Sequence, residues 1–260
     1  MFFSSFGALA DILGGDVIFI EGLTRRFGGY EVLKGINLHV RRGKTRVILG
    51  VSGSGKTVLM KHIIGLLKPD LGKVLVDGED ITKLDDKAML HVRRKFGMVF
   101  QQAALFDSMT VGENVAFPLR EHRKLPEEEL LRRVAEKLDV VGLKGVEPKY
   151  PSELSGGMRK RVGLARALVL EPTCVLYDEP TTGLDPITTE NVDQMIMDAS
   201  ARLQVTSVVI SHDIGSAIRV ADDIAVIHEG VIVEDCPASE IRRSQHPFVQ
   251  KFLNTWFGKQ

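Results

Sequence analysis

The first part of the chain alternates apolar and polar positions in the way that a β-strand does. Residues 17–49 keep this period of two, and it is clearest where Ile36, Leu38 and Val40 alternate with polar neighbours. The pattern then changes, because apolar residues recur at helical spacing over residues 56–67. The sequence therefore predicts strands, a glycine-rich turn and a helix, in that order.

Further along the chain, short apolar runs alternate with helical patterns. No strand pattern occurs between residues 103 and 157, and Pro126 there opens a predicted helix that ends at Gly142. Its apolar face consists of Leu130, Leu131, Val134, Leu138 and Val141. The apolar runs that predict strands lie at 74–76, 96–100, 173–177, 207–210 and 224–227. This order predicts an α/β fold with a mostly parallel sheet, an antiparallel piece near the N-terminus and a helical subdomain inserted at about 103–165.

The two ends of the chain differ from this core. Residues 1–16 form an apolar N-terminal arm that lacks the basic start of a secretory signal. In the tail, 241–260, the spacing of Phe248, Phe252 and Trp256 predicts a C-terminal helix, which we expect to pack within the chain rather than on a second subunit. The longest apolar stretches run about ten residues, half of the roughly 20 needed to cross a bilayer, so no spanning segment is predicted.

Charge and cysteine content exclude several classes of function. The 34 Lys and Arg balance the 34 Asp and Glu, so no global field favours nucleic acid. Cys174 and Cys236 lack CxxC spacing, which argues against a zinc site or disulfide framework. We expect Cys174 in the core and Cys236 in a loop.

The strongest chemical signal is a glycine-rich loop between a predicted strand and a predicted helix. Gly50 to Thr57 satisfies G-x-x-x-x-G-K-[ST], in which backbone N–H groups and the helix N-terminus cradle phosphates. Lys56 can reach the β- and γ-phosphates, and Thr57 can ligate Mg²⁺. The sequence therefore predicts a nucleotide-binding site.

Two other segments extend this prediction. An apolar strand ends in Asp178 and Glu179, where Asp178 can hold the metal shell and Glu179 can polarise an attacking water. Ser155, Gly156 and Gly157 begin another predicted helix and form a second anion site, one suited to closing over a nucleotide held elsewhere. Binding with hydrolysis is thus favoured over binding alone.

The order of these segments resembles the nucleotide-binding subunits of ATP-binding cassette (ABC) transporters over about residues 17–240. The matching segments are Gly50 to Thr57 as Walker A, Gln101 as the Q-loop glutamine, residues 154–158 as the signature, Asp178 and Glu179 as Walker B, residues 183–185 as the D-loop and His212 as the switch histidine. The resemblance implies a P-loop NTPase (RecA-like) core. It also implies two subunits, as a homodimer or a paired subunit, that sandwich two ATP molecules between Walker A of one and the signature of the other.

The resemblance also implies roles for single residues. The expected catalytic residues are Glu179, His212 and Lys56, and the expected Mg²⁺ ligands are Thr57, Gln101 and Asp178. Gln102 is an alternative to Gln101, and Tyr30 is an alternative to Phe27 as the aromatic that stacks on adenine. The residues expected to contact ATP are Phe27, Gly50, Ser52, Gly53, Ser54, Gly55, Lys56, Thr57, Val58, Gln101, Asp178, Ser155, Gly156, Gly157 and Asp185.

A narrower resemblance concerns the cargo. Residues 114–122, Leu125 with Pro126, and Met158 where most of the family has Gln together resemble the ATPase of bacterial lipid-asymmetry transporters. This implies a partner permease, an MCE-domain lipid-binding protein, phospholipid cargo and a place on the cytoplasmic face of the inner membrane. The alternatives are the ATPase of a small-molecule importer, for instance for amino acids, and a soluble ABC ATPase acting on ribosomes or DNA. One cassette without long heptads disfavours the last.

Overall fold

The computed structural model describes residues 15–258, so the N-terminal arm expected over 1–16 lies almost wholly outside the described residues. Within these described residues, ten strands form two sheets. The strands are β1 (Asp16–Phe27), β2 (Tyr30–Arg41), β3 (Thr45–Leu49), β4 (Leu71–Val76), β5 (Glu79–Asp80), β6 (Phe96–Val99), β7 (Cys174–Asp178), β8 (Thr206–Ser211), β9 (Asp223–His228) and β10 (Val231–Pro237).

The α-helices are α1 (Lys56–Ile63), α2 (Asp86–Arg93), α3 (Val111–His122), α4 (Glu127–Val140), α5 (Gly156–Leu168), α6 (Pro186–Leu203), α7 (Ile214–Val220) and α8 (Pro247–Phe257). Three short 3₁₀ turns lie at Ile81–Lys83, Pro151–Glu153 and Ile241–Arg243. None of the helices between residues 15 and 258 combines the length and apolar content that spanning a membrane requires.

The larger sheet has the strand order β10-β9-β3-β8-β7-β6. Its strands run parallel except β10, which pairs antiparallel with β9. The smaller sheet is antiparallel, with the order β2-β1-β4-β5. The predicted α/β class, with a mostly parallel sheet and an antiparallel piece near the N-terminus, is confirmed.

Two apolar cores lie on the two faces of the larger sheet. Alternate residues of β3 face opposite sides, so Val47 and Leu49 join the core under helices α3 to α8. Ile48 instead joins a core with α1 and the antiparallel sheet, where Ile20 and Leu38 are fully buried. Helices α3, α4 and α5 pack on one another, although the boundary predicted for a helical subdomain stays a prediction.

Helix α1 is shorter than the sequence pattern predicts. It ends at Ile63 rather than residue 67, because Gly65 turns the chain with a φ of +64°. A Cβ at Gly65 would lie 2.2 Å from Met89 Cε, so the turn is packed tightly against α2.

The C-terminal helix, α8, lies where the sequence predicts it and packs on its own chain. The ring of Phe248 stacks on His228 with centroids 3.6 Å apart, while Val249 and Leu253 are buried. Cys174 is fully buried, as expected. Cys236 was expected in a loop, and that is wrong: it lies in strand β10, whose mixed polar sequence hides its pairing with β9.

Candidate active site

The glycine-rich loop runs from the end of β3 to the start of α1. Its path depends on close packing at two glycines. A Cβ at Gly50 would lie 2.4 Å from the carbonyl oxygen of Ile227, and Gly55 has a φ of +109° with Leu33 at its back. This packing sets the path of the loop, which leads directly into the N-terminus of α1. Backbone N–H groups at such a position are available to bind phosphate.

Lys56 is buried, with 6% of its side chain exposed. Its Nζ donates to the carbonyl oxygens of Gly50, at 2.8 Å, and Val51, at 3.0 Å. The same Nζ lies 3.4 Å from Oε1 of Glu179. The ammonium group thus sits between the loop and the acid at the end of β7.

Polar groups in the loop fit a bound phosphate chain. Ser54 Oγ is buried and has no hydrogen-bond partner among residues 15–258, which is costly unless a ligand supplies one. Thr57, by contrast, is exposed at the mouth of the loop. A triphosphate would offer acceptors to Ser54, to Lys56 and to the loop N–H groups, so the residues present fit ATP.

Glu179 has an unusual backbone conformation for a residue with a side chain. Its φ is +50°, a left-handed conformation that costs on the order of 1 kcal/mol, and its N–H donates to the carbonyl of Ile210 at 2.9 Å. Thr182 Oγ1 donates to Glu179 Oε2 at 2.9 Å, and His212 Nδ1 is hydrogen-bonded to the same oxygen at 2.7 Å. The carboxylate is therefore fixed on several sides.

Asp178, the preceding residue, ends strand β7 and is half-buried. Burial raises the pKa of its carboxyl, and the neighbouring Glu179 raises it further, while Lys56 opposes both effects. A cation beside Asp178 would relieve this cost. Among residues 15–258, no cluster of three or more His, Cys, Asp or Glu could hold a metal by itself. A Mg²⁺ ion here would therefore take most of its ligands from phosphate and water, as Mg²⁺ commonly does.

Lys56, Glu179 and His212 meet in one cleft of about 370 Å³, whose lining does not include the predicted site residues Gly50, Ser54 and Asp178. Gln101 lines it, whereas Gln102 lies outside it, which favours Gln101 of the two candidates. The residues that line the cleft are Val32, Ser52, Gly53, Gly55, Lys56, Thr57, Val58, Gln101, Glu179, Thr182 and His212. Val32 and Thr182 escaped the sequence analysis, because only the fold brings their strand and loop to the phosphate side.

The serine-glycine turn lies on a different cleft. Ser155 caps α5 by accepting the N–H of Met158, so this contact does not depend on the Met158 side chain. Gly156 lines a second cleft that shares only Gln101 and Thr182 with the first. Within one copy, the turn does not contribute to the Lys56 cleft.

Two further contacts lie near this second cleft. The Lys160 ammonium on α5 is buried and donates to the carbonyl of Pro180, directly after Glu179, and burial lowers the pKa of Lys160. Asp185 caps α6, accepting hydrogen bonds from Thr188 Oγ1 at 2.5 Å and from the Thr188 N–H at 3.0 Å. These two hydrogen bonds, the side-chain one first, hold the pKa of Asp185 below its usual value.

The two aromatic candidates for adenine lie at the turn between β1 and β2. Phe27 is 43% exposed and Tyr30 is 69% exposed, and they pair across the turn. The guanidinium of Arg25 covers one face of Phe27 at 4.8 Å from the ring centroid. Neither aromatic is among the residues that line the Lys56 cleft, so the choice between them stays a prediction.

Chemically, the cleft combines a phosphate cradle, a buried ammonium and a carboxylate oriented by a hydroxyl and an imidazole. A carboxylate held next to a phosphate site can orient a water for attack on phosphorus. The arrangement is suited to hydrolysing a nucleoside triphosphate.

Comparison with known proteins agrees with this geometry. A family model described as "ABC transporter" matches residues 33–182. The chain is 44% identical to the Mycobacterium leprae "Probable ribonucleotide transport ATP-binding protein mkl" over 92% of this chain and 69% of that protein. It is 40% identical to the Haemophilus influenzae "Intermembrane phospholipid transport system ATP-binding protein MlaF" over 92% and 90% of the two chains. With the Brucella abortus "Methionine import ATP-binding protein MetN" the identity is 39%, over 91% and 64%.

Solved structures show the same fold. The structure of cbiO1 from Clostridium perfringens matches with a TM-score of 0.83 and 31% identity over 94% of this chain and 97% of that one. The ATP-binding cassette MJ0796, a dimer bound to ADP and Pi, matches with a TM-score of 0.75 and 33% identity over 85% and 98%. The chain therefore belongs to the ABC transporter family, and it is an ATP-binding, ATP-hydrolysing subunit of a transporter.

Proposed function

We propose that two copies of this chain close over two ATP molecules and drive an integral membrane permease. One observation carries the proposal: Lys56, Glu179 and His212 converge on one cleft, while the Ser155–Gly156 turn borders another. Each ATP lies between the Lys56 cleft of one copy and the serine-glycine turn of the other. ATP bridges the copies through charge-assisted hydrogen bonds, and loss of the γ-phosphate releases them.

Four side chains share the chemical step. Glu179 accepts a proton from the attacking water, His212 and Thr182 orient its carboxylate, and Lys56 stabilises the charge on the γ-phosphate. Gln101 lies at the start of the segment that leads to α3, so it can link the state of the nucleotide to the helices that follow.

Mg²⁺ would be held by Thr57, Gln101 and Asp178. When bound, it would neutralise negative charge on the β- and γ-phosphate oxygens. The exposed Thr57 and Gln101 and the half-buried Asp178 provide oxygen ligands only, which suits this hard cation.

Replacement of the proposed base tests the chemical step. In Glu179→Gln we expect the rate constant kcat for ATP hydrolysis to fall at least about 100-fold, since a positioned general base contributes that much or more. ATP binding is expected to persist, because the phosphate cradle is intact. Phosphate release measures kcat, and calorimetric titration with ATP and Mg²⁺ measures ATP binding.

The matched control is Glu190→Gln, which removes an exposed carboxylate on α6 outside the cleft. It should retain the normal turnover. Normal turnover in Glu179→Gln would refute the role assigned to Glu179.

For the cargo we propose phospholipid, moved between the membranes of the envelope together with an MCE-domain lipid-binding protein. The support is the relative MlaF: the match covers 90% of the length of MlaF, but only 69% of mkl and 64% of MetN. The resemblance of residues 114–122 and Met158 to lipid-asymmetry ATPases adds to it. The subunit would then lie on the cytoplasmic face of the inner membrane, bound through its permease.

Amino-acid import is the second candidate, and the relative MetN favours it. The decisive experiment purifies the chain with its membrane partner and reconstitutes the complex in vesicles. ATP-dependent movement of a fluorescent phospholipid, absent with Glu179→Gln, is expected. Uptake of methionine or a ribonucleotide without lipid movement would overturn the cargo, and purification with ribosomes or DNA instead of a membrane protein would overturn the transport role.

A further inference from the structure

A buried acid joins two helices behind the active site. Asp193, in the middle of α6, is only 1% exposed. Its carboxylate accepts hydrogen bonds from Ser216 Oγ and from Arg219, whose Nε lies at 2.8 Å and Nη2 at 2.7 Å. Both partners belong to α7, so Asp193 joins α6 to α7.

The same contacts lead to the histidine of the cleft. Ser216, which is fully buried, also donates its backbone N–H to Asp213 Oδ1 at 3.1 Å. Asp213 is the N-cap of α7 and directly follows His212. A continuous path of hydrogen bonds and one peptide bond therefore runs from Asp193 to the residue that contacts Glu179.

Helix α7 has a second close contact near its start. A Cβ at Gly215 would lie 2.6 Å from Cζ2 of Trp256, so the C-terminal helix α8 packs directly against the start of α7. With both Asp193 and Trp256 packed against it, α7 has little room to shift.

Packing alone does not explain a charge at this position. Burial raises the pKa of Asp193, and Ser216 and Arg219 offset that effect only in part. Apolar residues of similar volume often fill such a seam at no cost in stability, whereas a hydrogen-bonded ion pair fixes one orientation of its partners. The arrangement therefore favours a role in orientation.

We propose that Asp193 is a positioning residue for ATP hydrolysis: through Ser216 and Arg219 it sets the place of His212 against Glu179. This inference rests on the function proposed above for His212. Asp193 lies outside the Lys56 cleft, on α6, the helix that Asp185 caps. The proposal therefore links α6 to His212.

The test replaces Asp193 with Asn, which keeps the shape of the side chain and removes its charge. We expect kcat to fall about tenfold, since small displacements of a catalytic group have effects of that size or larger. The KM for ATP should stay unchanged, because the phosphate loop is untouched. Assays are run well below the melting temperature of each variant. The matched control, Asp198→Asn, alters a carboxylate on the same helix that accepts a hydrogen bond from Gln194 and should keep normal kcat.

A double-mutant cycle with His212→Ala separates positioning from general damage. If Asp193 acts through His212, Asp193→Asn adds no further loss once His212 is gone. In NMR spectra of histidine-labelled protein, Asp193→Asn should also shift the imidazole signals of His212, assigned by their absence in His212→Ala. If Asp193→Asn does not fold, Ser216→Ala replaces it in the double-mutant cycle with His212→Ala. We expect Ser216→Ala to lower kcat about threefold.

The outcomes distinguish the two proposals. If His212→Ala alone leaves kcat unchanged, the proposed role of His212 fails. If His212→Ala lowers kcat, the positioning role fails in either of two cases, and the proposed function then stands. In the first, the Asp193 and Ser216 variants keep normal kcat. In the second, each of them lowers kcat by the same factor whether His212 is present or replaced by Ala.

Discussion

At the scale of single residues, Lys56 is the charge on which we expect nucleotide binding to depend most. Its Nζ lies within hydrogen-bond distance of two loop carbonyls and 3.4 Å from Glu179. These contacts hold the ammonium group at the floor of the cleft, so a phosphate meets it already oriented. Its burial excludes most of the water that would screen the interaction.

Lys56→Ala should weaken ATP binding about 100-fold. Charge-assisted hydrogen bonds are worth about 1.5–3 kcal/mol each, and at least one is lost. Calorimetric titration with ATP and Mg²⁺ measures the change. Lys61→Ala, which removes an exposed lysine from the same helix, should bind ATP normally; equal losses in both variants would contradict a specific role for Lys56.

At the scale of elements, Asn114 fixes the loop that leads from Gln101 to α3. The side chain is fully buried, and its Oδ1 accepts the N–H of Phe106 at 2.8 Å. Its Nδ2 donates to the carbonyls of Phe106, Met109 and Thr110. One amide thus satisfies four backbone groups of a loop that has no strand or helix of its own.

Asn114→Asp should destabilise the protein by about 3 kcal/mol. The new carboxylate oxygen would face three carbonyl oxygens, which leaves buried acceptors unpaired. Urea denaturation gives the free energy of unfolding. Asn191→Asp, an exposed change on α6, should alter it by less than about 0.5 kcal/mol, and a comparable effect of both variants would show that the bonds of Asn114 are unimportant.

The elements also show what sequence patterns can and cannot predict. The central strands were predictable because both of their faces are buried and their apolar runs are nearly continuous. Strand β10 was missed since it is mostly half-exposed and mixes acids with apolar residues. Helix α7 has only seven residues, about two turns, too few for a recurring apolar pattern to stand out. The early end of α1 depends on the turn at Gly65, which the apolar pattern over 56–67 does not reveal.

The site follows the same logic. Residues within contiguous motifs, such as Lys56 and Glu179, were predictable because their chemistry is encoded over a few positions. Thr182, Val32 and Asp193 were missed because their roles arise from contacts between separate elements. Local sequence reveals contiguous motifs, but it says little about contacts between residues that are distant along the chain.

At the scale of the whole molecule, the phosphate loop lines the Lys56 cleft, while Gly156 lines a separate cleft of the same chain. The second exposes the N-terminus of α5, where the first turn carries no acidic residue and the helix dipole favours an anion. In the proposed pair, the second copy would present its nucleotide to this surface.

Gly156→Asp should prevent pairing without harming the fold. A Cβ at Gly156 meets nothing closer than Arg159 at 3.8 Å, and an acid is favourable in the first turn of a helix. Its charge, however, would repel a phosphate presented by the partner. In the Glu179→Gln background with ATP, light scattering should report dimers for the parent and monomers for Gly156→Asp, while ATP affinity of the monomer is unchanged.

The neighbouring Ser152→Asp adds the same charge outside the cleft and should leave the dimers intact. Dimers of Gly156→Asp at the parent's concentration would rule out this surface as the one that meets ATP.

The buried bond from Lys160 to the carbonyl of Pro180 has a consequence for such a pair. Lys160 lies on α5, the helix that would contact the partner's nucleotide. Pro180 directly follows Glu179, the proposed base, so the bond joins these two regions within one subunit. The two sites of a closed pair would then be mechanically linked through each protein chain. A change at one nucleotide would then reach the other through this bond, and the two sites of the pair would be energetically coupled rather than independent.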